Sequence, residues 1–340
     1  MKHQDLLNKM TLDEKAAILS GMTEWETRNI DRLNIPSMFC SDGPHGIRKQ
    51  EGDGDHLGLN ASVPATCFPT AATVANSWDP ELGEEIGKAL GEEAVALNVN
   101  VILGPGLNVK RNPLCGRNFE YFSEDPYLAG KMAASYIRGI QSKGVAACPK
   151  HYAVNSQELR RMASDSVLDE RTLREIYLTN FEIAVKEGNA KAIMSAYNQV
   201  NEVYANENKH LLQEILRDEW GFEGFVMTDW YSVGRVNGVN AGKNVQGLLM
   251  WAGNDCEMPG GNVDNILKAL NTDKTLRLGD LQKSAVNMLN VIAKSAVFEN
   301  MLDKLATSDD AVTAAEAKSA KAVLAQNKAQ KVVEDTKKEL

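Results

Sequence analysis

From residue 71 to residue 251 the chain alternates between short apolar runs of about four to seven residues and helix-patterned stretches of 13–20 residues. Runs of that length read as strands buried on both faces, and their alternation with helices means βα units around a parallel sheet. Strands are expected at 71–76, 99–103, 145–148, 192–196, 225–227 and 248–251, after a first at 35–40. The helices between them start with recognisable caps. Asp79-Pro80 and Asp125-Pro126 each supply an N-cap and a proline at the first helical position. Leu82, Ile86, Leu90 and Leu97 keep the helical period after the first cap, and Leu128, Ile137 and Ile140 face inward after the second, to about residue 143. Further helices are expected at 169–187, 208–220 and about 279–301, and residues 1–20 read as a helix restarted by a Thr11/Glu14 capping box. Seven or so such units over about 300 residues favour an α/β fold of the (β/α)8 TIM-barrel type, regular or irregular, over an open doubly wound sheet. No G-x-G-x-x-G follows the first strand, so a dinucleotide fold has no support. Residues 1–302 form the expected barrel. Residues 303–340, rich in Ala, Lys, Asp and Glu, form a helical or partly disordered tail.

Charge and cysteine usage narrow the function. The net charge of −9 argues against a nucleic-acid partner, because no basic stripe is present to neutralise phosphates. No apolar run approaches the roughly 20 residues of a membrane span, and the N-terminus lacks the apolar core of a signal peptide. Five widely spaced cysteines, an odd number without C-x-x-C, suit free thiols in a cytoplasmic protein. The five histidines have no ligand spacing, so neither a metal nor a cofactor is expected. No G-x-S-x-G elbow supports a serine nucleophile.

The polar residues of interest stand just beyond the strands' C-terminal ends, the pole where barrels of this type build sites. They are Asp42 with Arg48, a loop with Arg111 and Arg117, Lys150-His151, Tyr197, and Asp229-Trp230. A carboxylate beside an indole at the end of the G-F-V-M-T-D-W run is costly unless it is partnered or used. Taken singly, Asp229 reads equally well as a cap and Trp230 as core, and His151 more often as a hydrogen-bonded core histidine. Their convergence at one pole is what points to a site. Charged hydrogen-bonders around an aromatic wall suit a neutral polyhydroxylated ligand; the cations also fit a phosphate or carboxylate. The glycine-bearing segment 49–66, with Gly52, Gly54 and Gly58, is long enough to be expected to have a function.

Five motifs sharpen this reading: S-D-G-P-H-G-I-R (41–48), R-N-P-L-C-G-R-N-F-E-Y-F-S-E-D-P (111–126), K-H-Y-A-V-N-S-Q-E (150–158), M-S-A-Y-N (194–198) and V-M-T-D-W (226–230). In this order they resemble glycoside hydrolase family 3, in its β-glucosidase branch, over almost all of residues 1–300. The resemblance implies a retaining mechanism with Asp229 as the nucleophile. It implies that Asp42, Arg48, Arg117, Lys150, His151 and Arg161 bind sugar hydroxyls, with Arg160 as the competing choice for the last. Tyr197 is expected to hydrogen-bond the nucleophile and keep it ionised, and Met194 and Trp230 to supply apolar walls. K-H-Y-A-V-N, where the hexosaminidase branch has a loop with a catalytic His, argues against that activity. Asp42, where the xylosidase branch has a Glu, favours glucose over xylose. The substrate implied is a small oligosaccharide or an aryl or alkyl β-glucoside.

The resemblance also carries a departure. Members of this branch take their general acid/base Glu from an α/β sandwich domain, and no stretch here is long enough to form one. The expectation is a barrel holding nucleophile and pocket, with the acid supplied by a partner domain or chain. Glu120, Glu124, Glu158 and Glu257 are expected to pair structurally with nearby Arg and Lys residues. A sugar-binding or assembly module without turnover is the alternative, and a β-xylosidase-like hydrolase a further one.

Overall fold

A computed structural model of the protein describes residues 3–52, 54–55, 59–233, 245–307 and 310–339; Gly58 lies outside them. The strands of the ring are short and parallel, and outside it Asp165–Ser166, Gln199–Val200 and Val203–Tyr204 form a small mixed sheet. Cys40–Asp42 pairs with Val101–Leu103, which pairs with Ala146–Ala147. The chain continues through Pro149 into Lys150–Tyr152, which pairs with Ala192–Ser195, and that strand pairs with Phe225–Thr228. Single bridges complete the ring, Met227 to Cys256 and Glu257 to Ser20. An antiparallel bridge from Glu26 to Phe39 then leads back to the first strand. The result is a TIM-type barrel made irregular by this antiparallel junction.

Side-chain alternation explains why the apolar runs close in this way. Cys40, Val101, Leu103, Ala146, Ala192, Met194, Phe225 and Met227 share one buried cluster inside the ring. The residues between them, Ile102, Ala147, Ile193 and Val226, belong to the cluster under the helices. A strand buried on both faces needs apolar residues at every position, hence the unbroken runs. The helices Pro80–Ala96 and Pro126–Gln141 pack closely because glycines face the contact: a Cβ on Gly87 would stand 2.4 Å from the Tyr136 carbonyl oxygen.

Three expectations about elements change. Residues 71–76 are not a strand but a helix, Ala71–Ala75, whose N-cap Thr70 accepts a hydrogen bond from the Thr73 amide. Alanine is the strongest helix former, and this cap decides a stretch of small residues. The apolar run at 248–251 lies within the helix Val245–Ala252, which ends at Gly253 (φ 114°); the strand position is filled by Cys256 and Glu257 instead. Periodicity cannot separate so short an apolar run from a buried helix. The helix expected over 279–301 is two, Leu278–Ile292 and Ala296–Ala306, with Ser295 capping the second. The compositional change near residue 302 therefore falls inside a helix. Beyond it, Ala311–Glu339 is a 29-residue helix that folds back on Ala296–Ala306, joined by Lys321–Asp303 and Lys328–Glu299 ion pairs. At the N-terminus, Thr11 and Glu14 form the expected capping box between Gln4–Lys9 and Leu12–Ala17.

Candidate active site

At the C-terminal ends of the strands the chain forms a cavity of about 220 Å³ lined by Trp25, Asp42, Leu103, Arg117, Lys150, His151, Arg161, Met194, Tyr197, Asp229 and Trp230. The side chains arrive from several strand ends and the loops after them, except Trp25, which enters beside the antiparallel Glu26–Phe39 junction. Lys150 and His151 are consecutive yet both line the cavity, across a cis peptide bond.

Two carboxylates line it, in opposite electrostatic settings. Asp42 accepts from the Lys150 ammonium at 2.9 Å and from Arg48 at 3.2 Å. Burial works against its charge, but Lys150, Arg48 and Arg117 outweigh it and hold the carboxyl below its ordinary range. Lys150 is raised in return: Asp42 and Glu120 overcome the burial of its ammonium.

Asp229 is 7% exposed, and burial pushes its carboxyl up to about 6 against the pull of Arg117, Lys150, the Trp230 amide and Arg161. Its Oδ1 accepts from the Trp230 amide at 2.7 Å. Its Oδ2 is buried and accepts no hydrogen bond among the described residues, with His151 Nε2 3.5 Å away. Burial, then Arg117, Lys150 and Arg161, push His151 well below its ordinary value, so this imidazole is neutral.

The arginines are oriented by carboxylates from their own loops. Arg117 is ion-paired with Glu120, and Arg161 with Glu158 at 2.7 Å while lying 4.5 Å over the Tyr197 ring. Arg161, not Arg160, enters the cavity; Arg160 has φ 55° in a stretch of turns, where helical phase has no meaning. Glu120 and Glu158 thus take the structural pairing expected of them. Glu257 does not: it is buried, its Oε1 accepts from Asn262 at 2.8 Å and Gln246 at 3.4 Å, and Oε2 has no partner among the described residues. Burial pushes it up to about 7.

The ten residues to which the resemblance gives a role all lie here except Arg48, which supports Asp42 from outside the lining. Tyr197 departs from its expected bond: its hydroxyl donates to the Trp230 carbonyl, so its single proton is spent beside Asp229 rather than on it. Arg111 lines a separate surface cleft with Leu114 and Leu159. Trp25 and Leu103 were missed. Leu103 ends an expected strand and could have been found by position; Trp25 sits in a T-E-W-E-T stretch with neither strand periodicity nor a motif.

The family model of the glycosyl hydrolase family 3 N-terminal domain matches residues 12–291. The chain belongs to glycosyl hydrolase family 3. It is 55% identical to the thermostable β-glucosidase B of Acetivibrio thermocellus over 242 residues, covering 71% of this chain and 32% of that protein. It is 42% identical to an exo-α-(1→6)-L-arabinopyranosidase of Bifidobacterium longum, covering 84% of this chain and 37% of that one. The glucose-bound structure of β-glucosidase 3B from Thermotoga neapolitana superposes with a TM-score of 0.80 at 39% identity, over 88% of this chain and 44% of that chain. This family 3 chain spans about a third of the length of the curated relatives it matches. No helix among its described residues is long and apolar enough to cross a membrane.

Proposed function

We propose that this barrel carries out the nucleophilic half of retaining β-glucoside hydrolysis, with Asp229 as nucleophile. The observation that carries the reading is the Asp229 Oδ2: a buried carboxylate oxygen on the cavity wall without a hydrogen-bond donor among the described residues. Buried polar atoms in native proteins are normally satisfied, and one left open in a pocket is poised for a reacting atom. The Oδ2 attacks the anomeric carbon, the bond from that carbon to the leaving oxygen breaks, and water later releases the sugar from the ester.

The other residues hold the pyranose. Asp42, kept ionised by Lys150 and Arg48, accepts from ring hydroxyls; Lys150, Arg117 and Arg161 donate; His151, neutral, does either; Met194 and Trp230 form apolar walls. Tyr197 acts indirectly, fixing the Trp230 backbone from which Asp229 takes its hydrogen bond.

A retaining enzyme also needs an acid about 5–5.5 Å from the nucleophile, with a raised pKa. Asp42 is held low and ion-paired, so it cannot serve, Glu120 and Glu158 are committed to arginines, and Glu257, although pushed up to about 7, does not line the cavity. We therefore place the acid/base on a further domain or chain, the α/β sandwich of the family resemblance. The boundary expected at residue 302 moves back to the end of Leu278–Ile292, which closes the barrel unit, and Ala296–Ala306 with Ala311–Glu339 acts as its helical tail. The free thiols support a cytoplasmic setting.

The test compares 2,4-dinitrophenyl β-glucoside with an alkyl β-glucoside. The first, whose leaving group needs no proton, is expected to react; the second is not. Reaction of both would refute the missing acid. Reaction of neither, with glucose still bound, would favour a binding module. The arabinopyranosidase relatives make an α-L-arabinopyranoside the second sugar to try.

A further inference from the structure

We propose that Gln50, Gly54 and Asp55 form a positioning device for the aromatic wall of the cavity, acting through Trp25. The inference rests on the sugar-binding reading of the cavity and goes beyond it by assigning Gln50, Gly54 and Asp55 a part in substrate affinity.

Residues 49–51 and 61–63 pair in antiparallel fashion. The Glu51 amide donates to the Ala61 carbonyl and the Val63 amide to the Lys49 carbonyl, both at 2.8 Å, and Gln50 bridges Ser62. The Gln50 Oε1 accepts from the Trp25 indole Nε1–H at 2.8 Å and from the Asp55 amide at 2.8 Å. The Gln50 Nε2 donates to the Asp55 carboxylate at 2.8 Å, and that carboxylate also accepts from the Leu59 and Asn60 amides. The Gln50 amide is therefore fixed in one orientation, and with it the direction of the Trp25 indole. Gly54 closes on the pyrrole edge of the same ring: a Cβ there would stand 2.5 Å from Trp25 Cδ1 and 2.6 Å from Nε1. A side chain at 54 must displace the indole or the loop.

The other face of Trp25 meets Trp230, with ring centroids 5.1 Å apart at 37°. The Trp230 indole donates to the Glu24 carbonyl at 2.9 Å, so both rings are mounted on the Glu24-Trp25 stretch. Both line the cavity, and both are nearly buried, so neither can take up a shift of the other freely. The loop thus sets Trp25, and Trp25 sets the tilt of the wall against which an apolar sugar face packs. Contact of this kind holds the bound sugar and the transition state alike, so its loss weakens affinity more than the rate of the chemical step.

The experiment titrates glucose against the whole chain by tryptophan fluorescence and, separately, measures the 2,4-dinitrophenyl β-glucoside burst. Gln50→Leu and Gly54→Ala are expected to weaken glucose binding about tenfold, the scale of one well-placed aromatic contact, while the burst rate at saturation changes less than about threefold. The double variant Gln50→Glu/Asp55→Asn reverses the polarity of the amide–carboxylate bond and keeps the acceptor for Trp25. Its new amide at 55 stands where the Asn60 amide had its acceptor, so the double variant is expected to recover part of the parent's affinity and to bind more tightly than either single variant. Unchanged glucose affinity in Gln50→Leu, or equal loss of affinity and rate without rescue by the double variant, would overturn the proposal. Should Gly54→Ala fail to fold, the Gln50 and Asp55 variants carry the test. A parent chain that binds glucose without a burst would count against the nucleophile assignment alone, since the titration still reads the loop.

Discussion

Replacing Asp229 by Asn should stabilise the protein, and by an amount that depends on pH. The carboxyl sits at about 6 in the folded chain against 3.8 for the free side chain. A gap of about 2.2 units at about 1.36 kcal/mol each makes roughly 3 kcal/mol of strain in the ionised site. The native state binds the proton more tightly than the unfolded chain, so this cost is absent below about pH 3.8, grows as the pH rises, and is complete above about pH 6. Asn cannot ionise. It keeps the Oδ1 bond from the Trp230 amide and turns its amide towards the neutral His151 ring, which can accept. An ordered unit of roughly 300 residues unfolds with an entropy of about 0.6 kcal/mol/K. The Asp229→Asn chain is therefore expected to melt about 5 °C above the parent at pH 8 and only about 2 °C above it at pH 4.5, where roughly 2 of the 3 kcal/mol are already recovered. Paired calorimetric scans at the two pH values measure this. An equal advantage at both, or a lower melting point at pH 8, would refute the reasoning that burial strains the charged carboxylate.

Other outcomes follow from the same geometry. The burst rate with an activated glucoside should show an acid limb near pH 6, falling about tenfold per unit below it, because only the ionised Asp229 attacks; rapid-quench rates across pH 4.5–8 check this. Lys150→Met removes the ammonium that holds Asp42 and opposes the rise at Asp229; glucose affinity should drop about 10–100-fold and the acid limb move above pH 6. Arg117→Met strands Glu120, 4% exposed, without its cation and should cost about 3–5 kcal/mol of stability, whereas Arg117→Met/Glu120→Met should cost less, as urea unfolding would show.

Much of the barrel was legible because strands buried on both faces leave unbroken apolar runs, and because Asp79-Pro80 and Asp125-Pro126 mark helix starts without tertiary help. The failures lie where local signals are ambiguous. Ala71–Ala75 and Val245–Ala252 are short, and a cap at Thr70 or a Gly253 terminus decided what periodicity could not. In the site, the residues at strand ends were found by position. The hydroxyl of Tyr197 goes to the Trp230 carbonyl, a matter of where two backbones meet, which no pattern records. Trp25 was invisible for a similar reason: it reaches the cavity through the antiparallel junction between Glu26 and Phe39, outside the regular βα order. The Gln50–Asp55 clamp is likewise a product of loop closure rather than of spacing.

The most direct test of the central claim is a rapid-quench reaction with 2,4-dinitrophenyl β-glucoside, followed by mass spectrometry of the quenched peptides. The account predicts a burst of dinitrophenolate near one equivalent and a hexosyl adduct on the peptide that carries Asp229, both absent from Asp229→Asn. A chain that binds glucose yet gives no adduct, or an adduct on another residue, would contradict it.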